Sequence, residues 1–334
     1  MSKIAILGGG TWGTGLSIVL GRSRRKAEIA LWARESAIVE SIRKNRENNV
    51  YLPGMAIPDC VTASTDLHEV VDRAHIVLGV VPSANAREVF TQALPYISPE
   101  AAIVSAIKGL EPATHLRMSE VIEQVFSLRF VPRVAVLSGP SFAIEAARGE
   151  PTAVALASHD RALAAFLQEE FFGPSFRLYT NDDVTGVELA GALKNVIAIA
   201  AGVCQGLGLG HNSLAALITR GLAEISRLAV ALGGKPETIS GLAGLGDLVL
   251  TCTGALSRNR HVGFELGRGR SLNEILAEMT MVAEGVGTTA AALALAREHH
   301  LELPITEQVN SILHHDNAPS DAIRAIMERP LKRE

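Results

Sequence analysis

Three glycines near the start of the chain have the spacing of a phosphate-binding turn. Gly8, Gly10 and Gly13 form a G-x-G-x-x-G pattern directly after the apolar run Ile4–Leu7, and an apolar helical pattern follows from Thr14 to Leu20. In this context Gly8 permits a tight turn, Gly10 lets backbone N–H groups approach a pyrophosphate, and Gly13 lets the helix pack closely on the strand. The pattern therefore predicts a dinucleotide-binding strand, turn and helix.

The end of the second predicted strand bears on which dinucleotide is bound. NAD-specific sites usually place Asp or Glu there, to accept a hydrogen bond from the ribose 2′-hydroxyl. This chain instead has Arg34 followed by Glu35. The guanidinium of Arg34 suits a 2′-phosphate, and the neighbouring carboxylate leaves NADH open. We therefore expect NADP or NAD as cofactor, with NADPH favoured.

Lys194 is the candidate proton donor and acceptor. Its neighbours one helical turn away are all apolar: Ala190, Gly191, Ile197 and Ala198. On a helix they would surround the ammonium group with an apolar face, where desolvation lowers the pKa of a lysine. Such a lysine can act as a general acid or base near neutral pH. The alternative is a lysine that extends from a buried helix to solvent.

A second polar cluster follows the glycine-rich turn that carries Asp247. It reads Ser257-Arg258-Asn259-Arg260, and a guanidinium with an adjacent amide and hydroxyl suits phosphate oxygens. Arg258 is therefore the predicted phosphate clamp. The alternative is that these residues form the capped, solvated start of a helix over His261–Leu266. The Asp247 carboxylate would position either a substrate hydroxyl or Lys194.

Further polar residues follow two predicted strands. Lys108 comes after Ala101–Ile107, and Gly139 and Ser141 come after Arg133–Leu137. Because ligands of parallel sheets bind beyond the carboxyl ends of the strands, these residues lie on the expected ligand edge. The lysine can neutralise a phosphate, and Gly139 and Ser141 offer N–H and hydroxyl donors. The alternative for Ser141 is a helix N-cap.

The order of elements predicts how these residues are positioned. Strand-like runs alternate with helical patterns at Lys3–Leu7, Ala27–Trp32, His75–Val81, Ala101–Ile107 and Arg133–Leu137, with further candidates at Thr152–Ala157 and Phe176–Tyr179. This alternation predicts an α/β fold with an N-terminal Rossmann-type, doubly wound and mostly parallel sheet. Beyond Asp183 the apolar residues recur at helical spacing. We divide the chain into a dinucleotide-binding domain, residues 1–185, and an all-helical substrate-binding domain, residues 186–334.

Composition limits the class of partner. The chain has 334 residues, 48% of them hydrophobic and 20% charged, which is enough for two folded domains. A formal net charge of −4 gives no general attraction to nucleic acid or to anionic membranes, so an anionic ligand must be held by a local site. The expected partner is a small-molecule substrate.

Cysteine usage and the apolar segments indicate the compartment. Three cysteines without a C-x-x-C pair suit a reducing compartment, and the N-terminal sequence has no signal-peptide pattern, so we expect a cytoplasmic protein. The apolar stretch 186–203 contains Glu188 and Lys194, each costing about 2.5 to 3.5 kcal/mol near a bilayer centre, which predicts a buried helix and no stable membrane insertion.

His299-His300 and His314-His315 lack the spacing of helical metal ligands, so no metal is expected.

Several motifs form an ordered set along the chain. They occupy residues 8–13, 51–54, 105–111, 137–143, 188–202, 241–247, 251–253 and 257–260. This set resembles the bacterial NAD(P)-dependent sn-glycerol-3-phosphate dehydrogenases, collinearly over most of the chain. The resemblance implies reversible reduction of dihydroxyacetone phosphate to sn-glycerol 3-phosphate, which feeds glycerophospholipid synthesis, with Lys194 as the proton acceptor. A homodimer is also expected.

The resemblance also implies which residues contact each ligand. The implied substrate contacts are Lys108, Gly139, Ser141, Lys194, Asp247, Ser257, Arg258 and Asn259. The implied cofactor contacts, added to Gly8, Gly10 and Gly13 of the glycine pattern, are Thr11, Trp12, Arg34, Tyr51, Lys108, Ala143, Arg258, Val282 and Glu284. The chain departs from the family pattern at His211, where Asp is usual, at Leu214, where Lys is usual, and at Gly287, where Arg is common. None of these is the predicted base or phosphate clamp, so the departures bear on cofactor affinity and loop behaviour.

Two other functions fit part of the pattern. One is a dehydrogenase for another small phosphorylated or β-hydroxy acid on the same two-domain plan. The other is a redox-sensing NAD(P)-binding regulator without turnover. A regulator would be expected to carry a basic nucleic-acid-reading segment and to lack a buried lysine beside Asn195. The sequence meets neither expectation, so it disfavours a regulator.

Overall fold

The computed structural model describes residues 2–315 and 317–330. The chain divides into two compact units, a sheet unit of Met1–Lys108 with Leu116–Glu188 and a helical unit of Gly109–His115 with Leu189–Glu334. The short segment Gly109–His115 belongs to the helical unit because Leu110 is buried in that unit's core. No periodicity in seven residues could have indicated this assignment.

The sheet unit is built on one eight-stranded sheet. Its strands are β1 Lys3–Leu7, β2 Glu28–Trp32, β3 Val61–Ser64, β4 Ile76–Gly79, β5 Ala102–Ser105, β6 Arg133–Ser138, β7 Thr152–Ala157 and β8 Phe176–Asn181. They are ordered β3-β2-β1-β4-β5-β6-β7-β8, and every neighbouring pair is parallel except β6 with β7. The first six strands have the doubly wound Rossmann order, so the predicted fold class of this unit is confirmed.

Continuous apolar runs form the inner strands because both faces of the sheet are covered. Ile4 and Ile6 pack in the core on one face, while Ala5 and Leu7 pack in the core on the other. Strands β1 and β4 are hydrogen-bonded neighbours. From β1 the chain continues to β2 and β3 on one side, and from β4 it continues to β5 and β6 on the other side. In such sheets the ligand crevice lies beyond the carboxyl ends of the strands at this point, immediately after Leu7.

Helices cover the sheet. They are α1 Thr11–Gly21, α2 Ser36–Asn45, α3 Leu67–Val71, α4 Ala86–Ala93, α5 Met118–Phe126, α6 Ala143–Arg148 and α7 Arg161–Phe171. Sequence analysis missed β3, because Val61–Ser64 is only four residues long and has Thr and Ser at two of them. It gave no direction for β7, whose antiparallel pairing with β6 extends the sheet beyond the Rossmann order.

In the helical unit every regular element among the described residues is helical, as predicted. The helices from this part of the chain are α8 Val184–Gly206, which begins in the sheet unit, α9 His211–Ala231, α10 Pro236–Ile239, α11 Asp247–Thr253, α12 Arg258–Gly267, α13 Leu272–Glu278, α14 Glu284–Glu298, α15 Pro304–His314 and α16 Pro319–Met327. A π-helical turn, Leu242–Gly246, leads directly into α11. Helix α8 supplies much of the core, including Leu189, Val196 and Ile199.

Helix α8 is long and apolar enough to span a bilayer by length and composition, but 89% of its most apolar window is buried inside the protein. Its charged residues are paired there. Glu188 accepts a hydrogen bond from Arg117 at 2.8 Å, and Lys194 donates to Asp247 at 2.6 Å. The prediction of a buried helix is confirmed.

A carboxylate from α9 caps the start of α15. Glu224 is buried, and its oxygens accept the backbone N–H groups of Ile305 at 2.6 Å and of Thr306 at 3.2 Å. Leu303, the N-cap residue of α15, has an apolar side chain that cannot accept a hydrogen bond from these groups. Glu224 therefore satisfies two N–H groups that would otherwise be buried without a partner.

Replacing Glu224 with Ala is expected to lower the free energy of unfolding by about 2 to 4 kcal/mol, because two N–H groups lose their acceptor. Glu224→Gln retains one acceptor and should cost less.

Burial raises the pKa of the Glu224 carboxyl, and the hydrogen bonds from Ile305 and Thr306 oppose that rise. A raised pKa in the folded state stabilises the protein at low pH, and this contribution is lost as the pH rises through that pKa. Urea unfolding at pH 4 and pH 8 should therefore show the wild type gaining relative to Glu224→Gln at the lower pH. A pH-independent difference between the two proteins would contradict this.

Candidate active site

The glycine pattern forms a turn at the carboxyl end of β1. Gly8 has φ +131°, a conformation that side chains disfavour, and a Cβ on Gly13 would lie 1.8 Å from the carbonyl oxygen of Gly8. Helix α1 begins at Thr11, with Gly10 as an N-cap that has no side chain to satisfy the first N–H groups. A Cβ on Gly10 would meet nothing within 4 Å. The turn therefore leaves open space beside an uncapped helix N-terminus, where an anion is favoured.

Polar groups around this turn come from a segment that sequence analysis did not identify. Asn48 is buried, and its Nδ2 donates to the carbonyl oxygen of Gly9 and to Oγ1 of Thr14, each at 2.8 Å. Its Oδ1 accepts the N–H of Tyr51 at 3.1 Å. Asn48 thus ties the predicted cofactor contact Tyr51 to the glycine turn. Its only sequence signal was its position just before the 51–54 motif, among other asparagines.

Three further predicted cofactor residues lie in the sheet unit. The indole Nε1 of Trp12, in the first turn of α1, is buried without a hydrogen-bond partner among the described residues. Ala143 packs on α1, where a Cβ on Gly15 would approach the Cβ of Ala143 to 3.1 Å. Arg34 follows β2, and its Nη2 lies 3.2 Å from Oε1 of Glu35.

Lys108, Gly139 and Ser141 are brought together at the ends of β5 and β6. Nζ of Lys108 donates to the carbonyl oxygen of Gly139 at 2.8 Å and lies 3.4 Å from Oγ of Ser141, which itself donates to Gly139 at 2.9 Å. The alternative interpretation of Ser141 as a helix N-cap is wrong. Helix α6 begins at Ala143, and its N-cap is Phe142.

Lys194 is the centre of a buried polar group in the helical unit. Its Nζ donates to Oδ1 of Asp247 at 2.6 Å and to Oγ1 of Thr251 at 2.8 Å. The hydroxyl of Thr251 donates to the backbone oxygen of Asp247 at 2.6 Å, so its lone pair faces the lysine. Two residues one turn apart on α11 thus fix the ammonium group.

The burial of Lys194 among small apolar neighbours on α8 was predicted correctly. Of the two partners expected for Asp247, a substrate hydroxyl or Lys194, the structure shows Lys194. The small neighbours on α8 let the side chain lie against α11, which the π-helical turn Leu242–Gly246 brings to this position. An opposite charge at this distance favours the ammonium form. Thr251 belongs to the 251–253 motif, but no role was predicted for it, although its spacing of four residues from Asp247 places the two on one helix face.

The residues of the 257–260 motif begin α12. Ser257 caps this helix by accepting the N–H of Arg260 at 3.2 Å, so the expected cap is confirmed. The helix starts at Arg258 and not at His261, and Ser257 and Asn259 are buried, so the alternative of a solvated helix start is wrong. Nδ2 of Asn259 donates to Oδ1 of Asn195, and its Oδ1 accepts the N–H of Gly285, each at 2.9 Å. These bonds join α8, α12 and the start of α14.

Arg258 and Glu284 form an electrostatic pair in the same unit. Arg258 is exposed at the start of α12. Desolvation by the surrounding protein lowers the pKa of Arg258, and the charge of Glu284 opposes the change. An arginine nevertheless stays charged at neutral pH. Arg258 also lines a recess with Ser257, His261 and Thr280.

The remaining predicted residues and the family departures lie on the surface or in helices. Val282 is exposed in the loop before α14. His211 is the exposed first residue of α9, and Leu214 packs against the core of the helical unit. Gly287 lies in α14, where a Cβ would be 4.0 Å from Pro112. In the part of the chain that the structure describes, no three His, Cys, Asp or Glu residues are placed to hold a metal.

A Rossmann sheet with a glycine turn, and a helical unit with a buried lysine and carboxylate, define the class of nicotinamide-dependent dehydrogenases. The models for the N-terminus and C-terminus of NAD-dependent glycerol-3-phosphate dehydrogenase match residues 3–164 and 183–324. The chain belongs to this family.

Individual relatives cover nearly the whole chain. It is 58% identical over 331 residues to glycerol-3-phosphate dehydrogenase (NAD(P)+) of Koribacter versatilis, covering 99% of this chain and 98% of the relative. It is 53% identical to the corresponding enzyme of Acidobacterium capsulatum, covering 99% of each chain. The crystal structure of glycerol-3-phosphate dehydrogenase from Coxiella burnetii has a TM-score of 0.93 and 43% identity, covering 98% of this chain and 99% of that one.

Proposed function

We propose that this chain catalyses the reversible NAD(P)H-dependent reduction of dihydroxyacetone phosphate to sn-glycerol 3-phosphate, with Lys194 as proton donor and acceptor. The observation that carries the proposal is the buried ammonium of Lys194, held at 2.6 Å by Asp247 and at 2.8 Å by Thr251. Family membership supports the reaction, and this geometry supports the role of the lysine.

Reduction of a ketone adds a hydride to the carbonyl carbon and a proton to the carbonyl oxygen. The reduced nicotinamide supplies the hydride when bound. In our proposal Nζ of Lys194 donates its proton to the developing alkoxide, and the neutral amine accepts it back in the oxidative direction. Asp247 stabilises the ammonium form and Thr251 fixes its direction, so the proton donor is oriented before the reaction.

The phosphate of the substrate needs a fixed positive charge and hydrogen-bond donors. Arg258 supplies a charged, planar guanidinium, which matches phosphate oxygens. Asn259 is buried with one Nδ2 hydrogen bonded to Asn195, which leaves its second hydrogen as a donor. The backbone near Ser257, at the start of α12, adds N–H groups. We also assign substrate contacts to Lys108, Gly139 and Ser141.

The glycine turn fits a dinucleotide. The open space at Gly10 and the uncapped start of α1 would hold the pyrophosphate, and the unpartnered indole N–H of Trp12 lies in the same turn of helix. We assign further cofactor contacts outside this turn to Arg34, Tyr51, Lys108, Ala143, Arg258, Val282 and Glu284.

We further propose a cytoplasmic homodimer that feeds glycerophospholipid synthesis. Cys60, Cys204 and Cys252 are free thiols, which supports a reducing compartment. Large apolar side chains exposed in the helical unit support association with a second copy: Leu209, Val230, Leu245, Val249 and Leu256. Light scattering on the purified protein tests the dimer.

The test of the reaction is a substrate panel followed by NADPH and NADH absorbance. We expect dihydroxyacetone phosphate to be reduced and dihydroxyacetone, which lacks the phosphate, to show a kcat/KM at least about a thousandfold lower, because it leaves Arg258 without its partner. β-Keto acids are the comparison set for the alternative dehydrogenase. Preferential turnover of such an acid, or equal turnover of the two ketones, would contradict the proposal.

A further inference from the structure

An exposed ion pair of neighbouring residues lies at the end of β2. Nη2 of Arg34 is 3.2 Å from Oε1 of Glu35, and the two side chains are 77% and 43% exposed. Among the described residues Arg34 has no other ion-pair partner. The guanidinium assigned to a ribose 2′-phosphate is thus already in contact with a carboxylate of its own chain.

Glu35 is the N-cap residue of α2, a position at which Ser, Thr, Asp or Asn side chains ordinarily accept the first free N–H groups of the helix. It makes no such bond here, and its carboxylate contacts Arg34 instead. Glu69, which follows the neighbouring strand β3, is engaged differently, because it accepts the hydroxyl of Ser64.

We propose that Glu35 determines the relative affinity for NADPH and NADH by competing with the ribose 2′-substituent for Arg34. The proposal rests on the function proposed above. An exposed pair contributes little stability, so a 2′-phosphate can displace the carboxylate from Arg34, but it must then bind beside a negative charge. With NADH the same carboxylate can accept the 2′-hydroxyl, the contact that acidic residues make at this position in NAD sites. Glu35 would therefore weaken NADPH binding and strengthen NADH binding.

The test is calorimetric titration of the purified protein with NADPH and with NADH, which needs no turnover. Glu35→Gln is expected to raise the ratio of the NADH to the NADPH dissociation constant about tenfold at low salt, and less at 0.5 M salt. The matched control is Glu40→Gln, which removes one exposed carboxylate from the same helix. Glu40 lies about one helical turn after Ser36, the first residue of α2, and its carboxylate pairs with Lys44 at 3.3 Å. This control should leave the ratio unchanged.

A second variant separates competition for Arg34 from general charge. In Arg34→Gln with Glu35→Gln the gain in NADPH affinity should disappear, because no guanidinium remains to be released. An unchanged ratio in Glu35→Gln, or an equal change in Glu40→Gln, would overturn the proposal. If the wild type bound neither dinucleotide, the proposed function itself would fail.

Discussion

Lys194→Ala is expected to lower kcat by about 10³- to 10⁴-fold while changing the dissociation constant of NADPH by less than about twofold. A positioned proton donor contributes typically about 10²- to 10⁴-fold to such reactions. The upper part of that range applies because Lys194 is buried and fixed by Asp247 and Thr251. Single-turnover reduction of dihydroxyacetone phosphate and calorimetric titration with NADPH measure the two quantities.

The control must separate catalysis from folding. Lys194→Ala leaves the Asp247 carboxylate buried without its partner, which costs about 3 to 5 kcal/mol of stability. Combining Lys194→Met with Asp247→Asn removes both charges and should recover most of that stability without restoring turnover. A folded Lys194→Ala protein with near wild-type turnover would exclude the lysine from the proton transfer.

How much the sequence predicted depended on the distance between interacting residues. The glycine turn was predictable because Gly8 and Gly13, which approach each other closely, are five residues apart and directly follow a strand. The burial of Lys194 was also predictable, since its neighbours on α8 are small and apolar. Its pairing with Asp247 was expected only as one of two possibilities, because that residue is 53 positions away and nothing local shows which helices pack together.

The features that sequence analysis missed have similar physical causes. Asn48 acts on a turn 39 residues earlier, and only the fold brings them together. Strand β3 is short and half polar, and it is held in the sheet by backbone bonds to β2. Ser141 was predicted as a donor at the ligand edge, with a helix N-cap as the alternative. The helix begins at Ala143, and the Ser141 hydroxyl donates to the Gly139 carbonyl oxygen, a partner that was not predicted. Local residue types thus identified the chemical groups, whereas tertiary packing determined their partners.

Gly10→Ala is expected to weaken NADPH binding by about a hundredfold while changing the free energy of unfolding by less than about 1 kcal/mol. Gly10 has φ −74° and ψ −171°, a backbone conformation that alanine adopts, and a Cβ there would meet no protein atom within 4 Å. The added methyl group would instead fill the space assigned to the pyrophosphate. Calorimetric titration and urea unfolding measure the two effects.

Gly13→Ala is the contrasting variant on the same turn. Its Cβ would lie 1.8 Å from the backbone oxygen of Gly8, so strand and helix must separate, and the stability should fall by about 3 kcal/mol or more. Loss of NADPH binding in that protein would report a damaged turn, whereas loss in Gly10→Ala reports a blocked ligand. If Gly10→Ala bound NADPH as tightly as the wild type, the pyrophosphate would have to bind away from the start of α1, and the site assigned to the glycine turn would be wrong.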